Sequence, residues 1–290
     1  MRTFETDGPI SVALELGVGD VVIAASDGGD TVVDVQPSDA TRSADVAAAR
    51  ETDVDLARGT LTVTGPKGWR KWTPWGGDGS VQIRIELPTG SSLRGTIGAA
   101  VVHGTGRLGV VRLRSGAGEI ALEETGALDL RAGAGDMTVD VVGGRAEIRT
   151  SGAVRIGRID GPAVIRNANG DTWIGEVTGE ARVTAANGAI SIDLAHAGIV
   201  AKTANGNVRL DEVAHGPVVA ESAFGRIEVG VPAGVPAWLD LQTRFGQVLS
   251  DLDAADRPEP GEGAVEIRAH TTMGDVAIRR AAATGVGERP

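Results

Sequence analysis

NANGDTWI (167–174), AANGAISI (185–192) and TANGNVRL (203–210) are three copies of one phrase. In each, an Asn-Gly pair is followed by apolar or β-branched residues two and four places after the glycine, with mostly polar residues between. Alternation of period two marks a strand with one buried face. Asn and Gly tolerate positive φ, so the pair marks a sharp corner before that strand. The phrase recurs upstream as SGAGEIAL (115–122), AGAGDMTV (132–139) and TSGAVRI (150–156), with a fainter TIGAAVV (96–102). Downstream it recurs as SAFGRIEV (222–229), TRFGQVLS (243–250) and TTMGDVAI (271–278). The registered glycines are Gly98, Gly118, Gly135, Gly152, Gly170, Gly188, Gly206, Gly225, Gly246 and Gly274. They lie 17 to 21 residues apart, except for a last interval of 28. A fixed period near 18 signals a repeat architecture.

A second short apolar pattern precedes each glycine, for example Ala163/Ile165, Ala181/Val183, Ile199/Ala201 and Val218/Ala220. Each period therefore holds two strands and two turns, one coil of a flattened β-solenoid. The rival is an antiparallel meander, because Asn-Gly also makes hairpins. The columns favour the solenoid. Asn169, Asn187 and Asn205 occupy the place before the glycine, and Phe224, Phe245 and Met273 follow there. Parallel stacking sets equivalent positions above one another and rewards such like-with-like runs. The expected fold is all-β: a flattened parallel β-solenoid of about ten coils, spaced roughly 4.8 Å apart.

Residues 1–92 lack the clear phrase. ISVALEL, DVVIAAS and TVVDVQP alternate as half-buried strands, with Gly17 and Gly19 read as a break between the first two. For 40–57 one or two helical turns at ADVAAAR compete with a strand, and the alternation after Thr52 favours the strand. The expected organisation is an N-terminal β-strand cap or sandwich over 1–92, a solenoid over 93–280 and a disordered tail over 281–290. An acidic, Pro-containing insertion (253–264) fills the long last interval.

Composition narrows the function. The 290 residues carry a net charge of −11, which disfavours binding to nucleic acid. There is no Cys, so disulfides and thiolate chemistry are excluded. No apolar leader follows MRTFETDGPI and no apolar run is long enough to span a bilayer, so the chain reads as soluble and cytoplasmic.

Trp69, Trp72 and Trp75 lie in GPKGWRKWTPWGGDGS (65–80), interleaved with Arg70 and Lys71. These indoles either fold back over an apolar edge or present a basic, aromatic patch to a partner or membrane surface. Arg114, Arg131, Arg166 and Lys202 stand four residues before their glycines, and Arg149 is equivalent after a one-residue deletion. This basic stripe is either a solvated face or a groove for an anionic polymer or lipid headgroups. His196 and His215, with Asp193 and Asp211, share a turn region, but their spacing matches no known metal site, and no metal or cofactor is expected. No nucleophile elbow, P-loop or zinc-protease motif is present, which disfavours an enzyme. The alternative is a carbohydrate-active β-helix enzyme.

Short opening strands, the segment GSVQIRIELPTGS (79–91) and the A-N-G coils together resemble the bacterial "putative adhesin" β-strand-repeat family, whose function is unknown. The resemblance spans nearly the whole chain. It implies a β-solenoid and a non-enzymatic scaffold or adhesin-like binding protein, and it carries no catalytic residue across. Expected partners are a protein, an anionic polymer or a membrane surface, and solenoid ends or edges offer an oligomer contact.

Overall fold

The computed structural model describes residues 1–66, 79–252 and 264–281. They form two compact units, 1–152 and 153–290. Both are built from the same coil, and all the coil-to-coil ladders are parallel, so the solenoid holds and the meander does not.

In the first unit the strand Ser11–Ser26 runs parallel to Ser92–Leu108 along most of its length. Val111–Ala117 and Leu128–Ala134 stack on the first leg, and Ile120–Thr125 and Met137–Val142 on the second. Two readings are corrected here. Gly17 and Gly19 do not separate two strands. They lie inside Ser11–Ser26, where Gly19 pairs with Ala100 and Val21 with Val102, so the coil pattern begins at residue 11. The corner residue of the fainter copy is Ala100 rather than Gly98, because Ala99 pairs with Ala117 and Gly118 packs on Ala100.

On the other side of Ser11–Ser26 the parallel order ends. Thr60–Thr64 and Ser80–Pro88 still pair with it in parallel. Beyond them come antiparallel partners: Asp53–Ala57 on one leg, then Asp30–Pro37 and Arg2–Glu5 on the other. Ser43–Glu51 is an α-helix, so the Ala-rich stretch takes its helical option and the strand starts only at Asp53. Alanine favours the helix. Asp45, 1% exposed, accepts backbone N–H bonds from Asp39 and Ser80 at 3.1 Å each, which ties the helix to the sheet.

In the second unit Ala163–Asn169, Ala181–Asn187, Ile199–Asn205 and Pro217–Phe224 form one parallel ladder. Val154–Ile159, Thr172–Val177, Ile190–Ala195, Val208–Val213 and Ile227–Val231 form the other. The next layer departs from chain order. Val265–Met273 and Val276–Arg280 stack on 217–231, and the earlier pair, Ala237–Phe245 and Val248–Ser250, lies outside them. The columns explain the choice. Val265, Ile267, Ala269, Val276 and Ile278 give an all-apolar inner set that is buried. The other coil would place Ser250 in that set, which makes it the cheaper one to leave outside.

Two contacts recur at the corners. A Cβ on Gly188 would lie 2.1 Å from the carbonyl oxygen of Gly170, and one on Gly206 would lie 2.0 Å from that of Gly188. Positive φ accompanies this at Gly170 (111°) and Gly188 (135°). Gly246 needs no positive φ, yet its Cβ would still lie 2.0 Å from the Gly274 oxygen, so close approach is the more general demand. At Gly206, Gly225 and Gly274 a hydroxyl three residues before the glycine then satisfies the carbonyl of the adjacent coil. Thr203 donates to Gly188 at 3.0 Å, Ser222 to Gly206 at 2.8 Å and Thr271 to Gly225 at 3.0 Å. These hydroxyl residues are buried, where an unpaired carbonyl would be costly.

Ile174, Ile192 and Leu210 are buried and stacked in register. Ile192→Asp should therefore destabilise by about 4 kcal/mol or more, because an unpaired carboxylate would replace an apolar contact on both sides. Gly188→Val should cost about 2 kcal/mol or more through the clash with Gly170 as well as through φ. Urea denaturation midpoints check both; a wild-type midpoint for either variant contradicts the register.

Candidate functional site

Outward positions on the coils carry most of the charge. In the first unit Arg114, Arg131 and Arg149 do stack, since Arg131 pairs in register with both of the others. A second column runs beside them: Arg94, Arg112, Asp129 and Glu147. The two columns sort the arginines into two kinds. Arg131 is held by Asp129 at 3.2 Å, and Arg149 by Glu147 at 2.9 Å. Arg94, Arg112 and Arg114 form no ion pair with a described residue, and all three are exposed. They border a shallow depression of about 350 Å³, with Glu15, Thr96 and Asp129 at its margins. Neighbouring strands lie about 4.8 Å apart and alternate residues on one strand about 7 Å apart, so the three guanidinium groups share one anion-sized area. Arginine suits phosphate and carboxylate through its forked, permanently charged donors.

Sequence reasoning missed Arg94 and Arg112. They stand six places before the corner position rather than four, and the search followed one column. The pairing of the acids with Arg131 and Arg149 was visible as D-L-R (129–131) and E-I-R (147–149), because residues two apart on a strand share a face.

Arg166 and Lys202, the remaining stripe residues, lie in the second unit with Thr184 between them in register. Lys202 is neutralised by Glu221 at 2.8 Å. Trp69, Arg70, Lys71, Trp72 and Trp75 fall outside the described residues. Three of the four residues in the histidine and aspartate group are otherwise engaged: His196 contacts Glu176 at 2.8 Å, Asp193 accepts from the Trp173 indole at 3.0 Å, and Asp211 pairs with Arg209 at 2.7 Å. Among the described residues no three His, Asp or Glu side chains gather as metal ligands.

The corner column of the second unit is as read from the sequence. Asn205 donates its amide to Asn187 at 2.8 Å, and Asn187 to Asn169 at 2.9 Å. Phe224, Met273 and Phe245 then continue the column, in that spatial order, each more than half exposed. They make a short apolar ridge.

Electrostatic shifts strengthen charge. Hydrogen bonding to Asp211 raises the Arg209 pKa, and hydrogen bonding to Asp160 raises that of Arg158. Asp34 is held below the usual carboxylate range, first by the Gln36 amide and then by the N-terminal ammonium, and Asp39 by the Thr41 hydroxyl. These shifts secure the ionised form, whereas proton transfer near neutral pH calls for pKa values tuned toward 7.

A sequence profile described as Toastrack DUF4097 matches residues 10–279. No curated protein is significantly similar in sequence. Solved structures similar to the chain include a "putative adhesin" from Parabacteroides merdae, 12% identical, TM-score 0.39, covering 96% of this chain and 94% of that one. Another from Bacteroides fragilis is 11% identical, TM-score 0.33, covering 96% and 95%. A "putative lipid binding protein" from Parabacteroides distasonis is 13% identical, TM-score 0.32, covering 97% and 96%. No described helix is long and apolar enough to cross a membrane.

If the corner amides add to stability, Asn187→Ala should lower it by about 1 to 2 kcal/mol, because it breaks bonds to both neighbours. The matched variant Asn187→Gln should not recover it, since the longer side chain shifts the amide out of register. Thermal unfolding of the two variants beside wild type checks this.

Proposed function

Because the chain belongs to the Toastrack DUF4097 family and carries an arginine face on its first unit, we propose that it is a non-catalytic binding scaffold for a phosphate-bearing ligand. The observation behind this reading is the contrast between Arg131 and Arg149, which are neutralised by neighbours, and Arg94, Arg112 and Arg114, which have no ion pair among the described residues. Exposed guanidinium groups without a partner are available to a ligand, and stacked like charges lose their mutual repulsion when an anion binds. The acidic remainder of the chain keeps anionic polymers from binding elsewhere, so affinity concentrates on this face. A solenoid holds the three residues on paired strands, which fixes their spacing before the ligand arrives and lowers the ordering cost of binding.

The shared chemistry is the phosphodiester or phosphate group. It can come from a soluble polymer or from a bilayer. Binding of the full chain to polyphosphate and, separately, to phosphatidylglycerol vesicles distinguishes the sources. The triple variant Arg94→Gln/Arg112→Gln/Arg114→Gln should bind at least about tenfold more weakly. Wild-type binding should also fall as salt rises. The variant positions are exposed, so the melting temperature should stay near wild type. Absence of wild-type binding to both probes at low salt, or equal binding by the triple variant, overturns the reading.

A further inference from the structure

A parallel stack of coils has two ends, and each end exposes a row of backbone donors and acceptors. Such edges invite pairing unless they are short, charged or covered. In the first unit the parallel ladder gives way to the antiparallel strands Arg2–Glu5 and Asp53–Ala57, which are four and five residues long, rich in charge and mostly exposed. Arg2 donates a hydrogen bond to the Val54 carbonyl and links the two. That end is blunted.

The outer coil of the second unit is not. Ala237–Phe245 is nine residues long and, among the described residues, pairs only with Val265–Met273. Its companion Val248–Ser250 pairs only with Val276–Arg280. Positions that are buried one coil inward are open here: Leu239 is 37% exposed against 0% for Ile267, and Val248 is 46% exposed against 0% for Val276. Leu249, Trp238 and Phe245 add exposed apolar surface beside them. Residues 253–263 read DAADRPEPGEG and 282–290 read AATGVGERP. Neither has an alternating apolar pattern to extend the Leu239 and Val248 columns, and the former carries two prolines that cannot donate to a ladder.

The edge strand is complementary to itself. In an antiparallel pair centred on Gln242, Asp240 faces Arg244 of the other copy, twice, and Leu239 faces Phe245. The parity of that register keeps inward residues inward. Arg244 has no acidic partner among the described residues; its guanidinium lies over its own Phe245 ring, 5.7 Å from the centroid. Asp240 accepts from the Gln242 amide at 3.2 Å and lies 3.5 Å from His270. Among the described residues no Arg or Lys pairs with Asp240 and no Asp or Glu with Arg244, so each charge can still take an oppositely charged partner. A two-fold axis normal to the two sheets sets each leg against its own copy, and closes the assembly at two chains.

We propose that the protein forms a homodimer in which strand Ala237–Phe245 pairs antiparallel with the same strand of a second copy. This contact buries the Leu239 and Val248 columns at the open end of the second unit. It is independent of the arginine face on the first.

Analytical ultracentrifugation of the full chain over a concentration series tests it. The expected species is a dimer. Leu239→Lys/Val248→Lys should be monomeric with an unchanged circular dichroism spectrum, because both positions are already open in the single chain. Asp240→Arg and Arg244→Asp should each weaken the dimer by at least about tenfold, and the double swap should restore it. A wild-type chain that stays monomeric throughout overturns the proposal. So does a dimer that survives Leu239→Lys/Val248→Lys, since the contact must then lie elsewhere. Failure of the double swap to restore a dimer that each single swap has broken overturns the Gln242-centred pairing.

Discussion

At the corners where glycine stacks on glycine, the carbonyl oxygen of one occupies the place where the next would carry a Cβ, about 2 Å away at Gly188 and Gly206. A side chain at Gly188 or Gly206 would prise the coils apart. Sheet hydrogen bonds hold successive strands at about 4.8 Å, so the corner must be narrow enough for that spacing. The rest follows from this constraint. The hydroxyl of Thr203 or Ser222 reaches the same carbonyl and removes the penalty of burying it. With corners in register, the alternating strands present apolar columns inward, and columns such as Ile190, Val208 and Ile227 close without gaps. No coil could bury these residues alone.

A fold specified from its inward and corner positions leaves the outward ones free to vary. That freedom separates scaffold from function. The first unit spends its outward positions on arginines, some neutralised by Asp129 and Glu147 and others not. The second unit spends them on mixed pairs such as Lys202–Glu221 and Arg209–Asp211. Its corner changes from hydrogen-bonded asparagines to exposed Phe224, Met273 and Phe245. Within the second unit the change tracks position: the polar corners lie on the coils farther from 237–250, and the apolar corners approach that open end.

The sequence made the coil legible because its strongest demands, Gly at the corner and alternation after it, act locally. The hydroxyls three places before the glycine stood in the same phrases, in T-A-N-G and S-A-F-G, yet carry no periodic apolar signal and were passed over. Ser11–Ser26 was missed because two glycines inside a strand look like a turn, although Val21 and Ile23 follow Gly19 at the usual two and four places. Arg94 and Arg112 became visible only when adjacent strands were set in register. The order of the last two coils is a different case. TRFG and TTMG are near-identical phrases, and nothing local says which lies inside; that depends on whether Ser250 or Ile278 must face the core.

That exchange of order has a consequence for how the chain is made. Repeat arrays normally grow by adding each new coil to the last. Here synthesis delivers 237–250 before 265–280, while the finished molecule needs the later coil beneath the earlier one. Until residue 280 is available, the Ile227 and Val229 columns have no permanent cover. If the earlier coil settles there first, it must be lifted away again. The C-terminal segment thus acts as a late wedge. It is the part whose arrival covers the Ile227 and Val229 columns, and its removal would leave 237–250 free to settle on them instead.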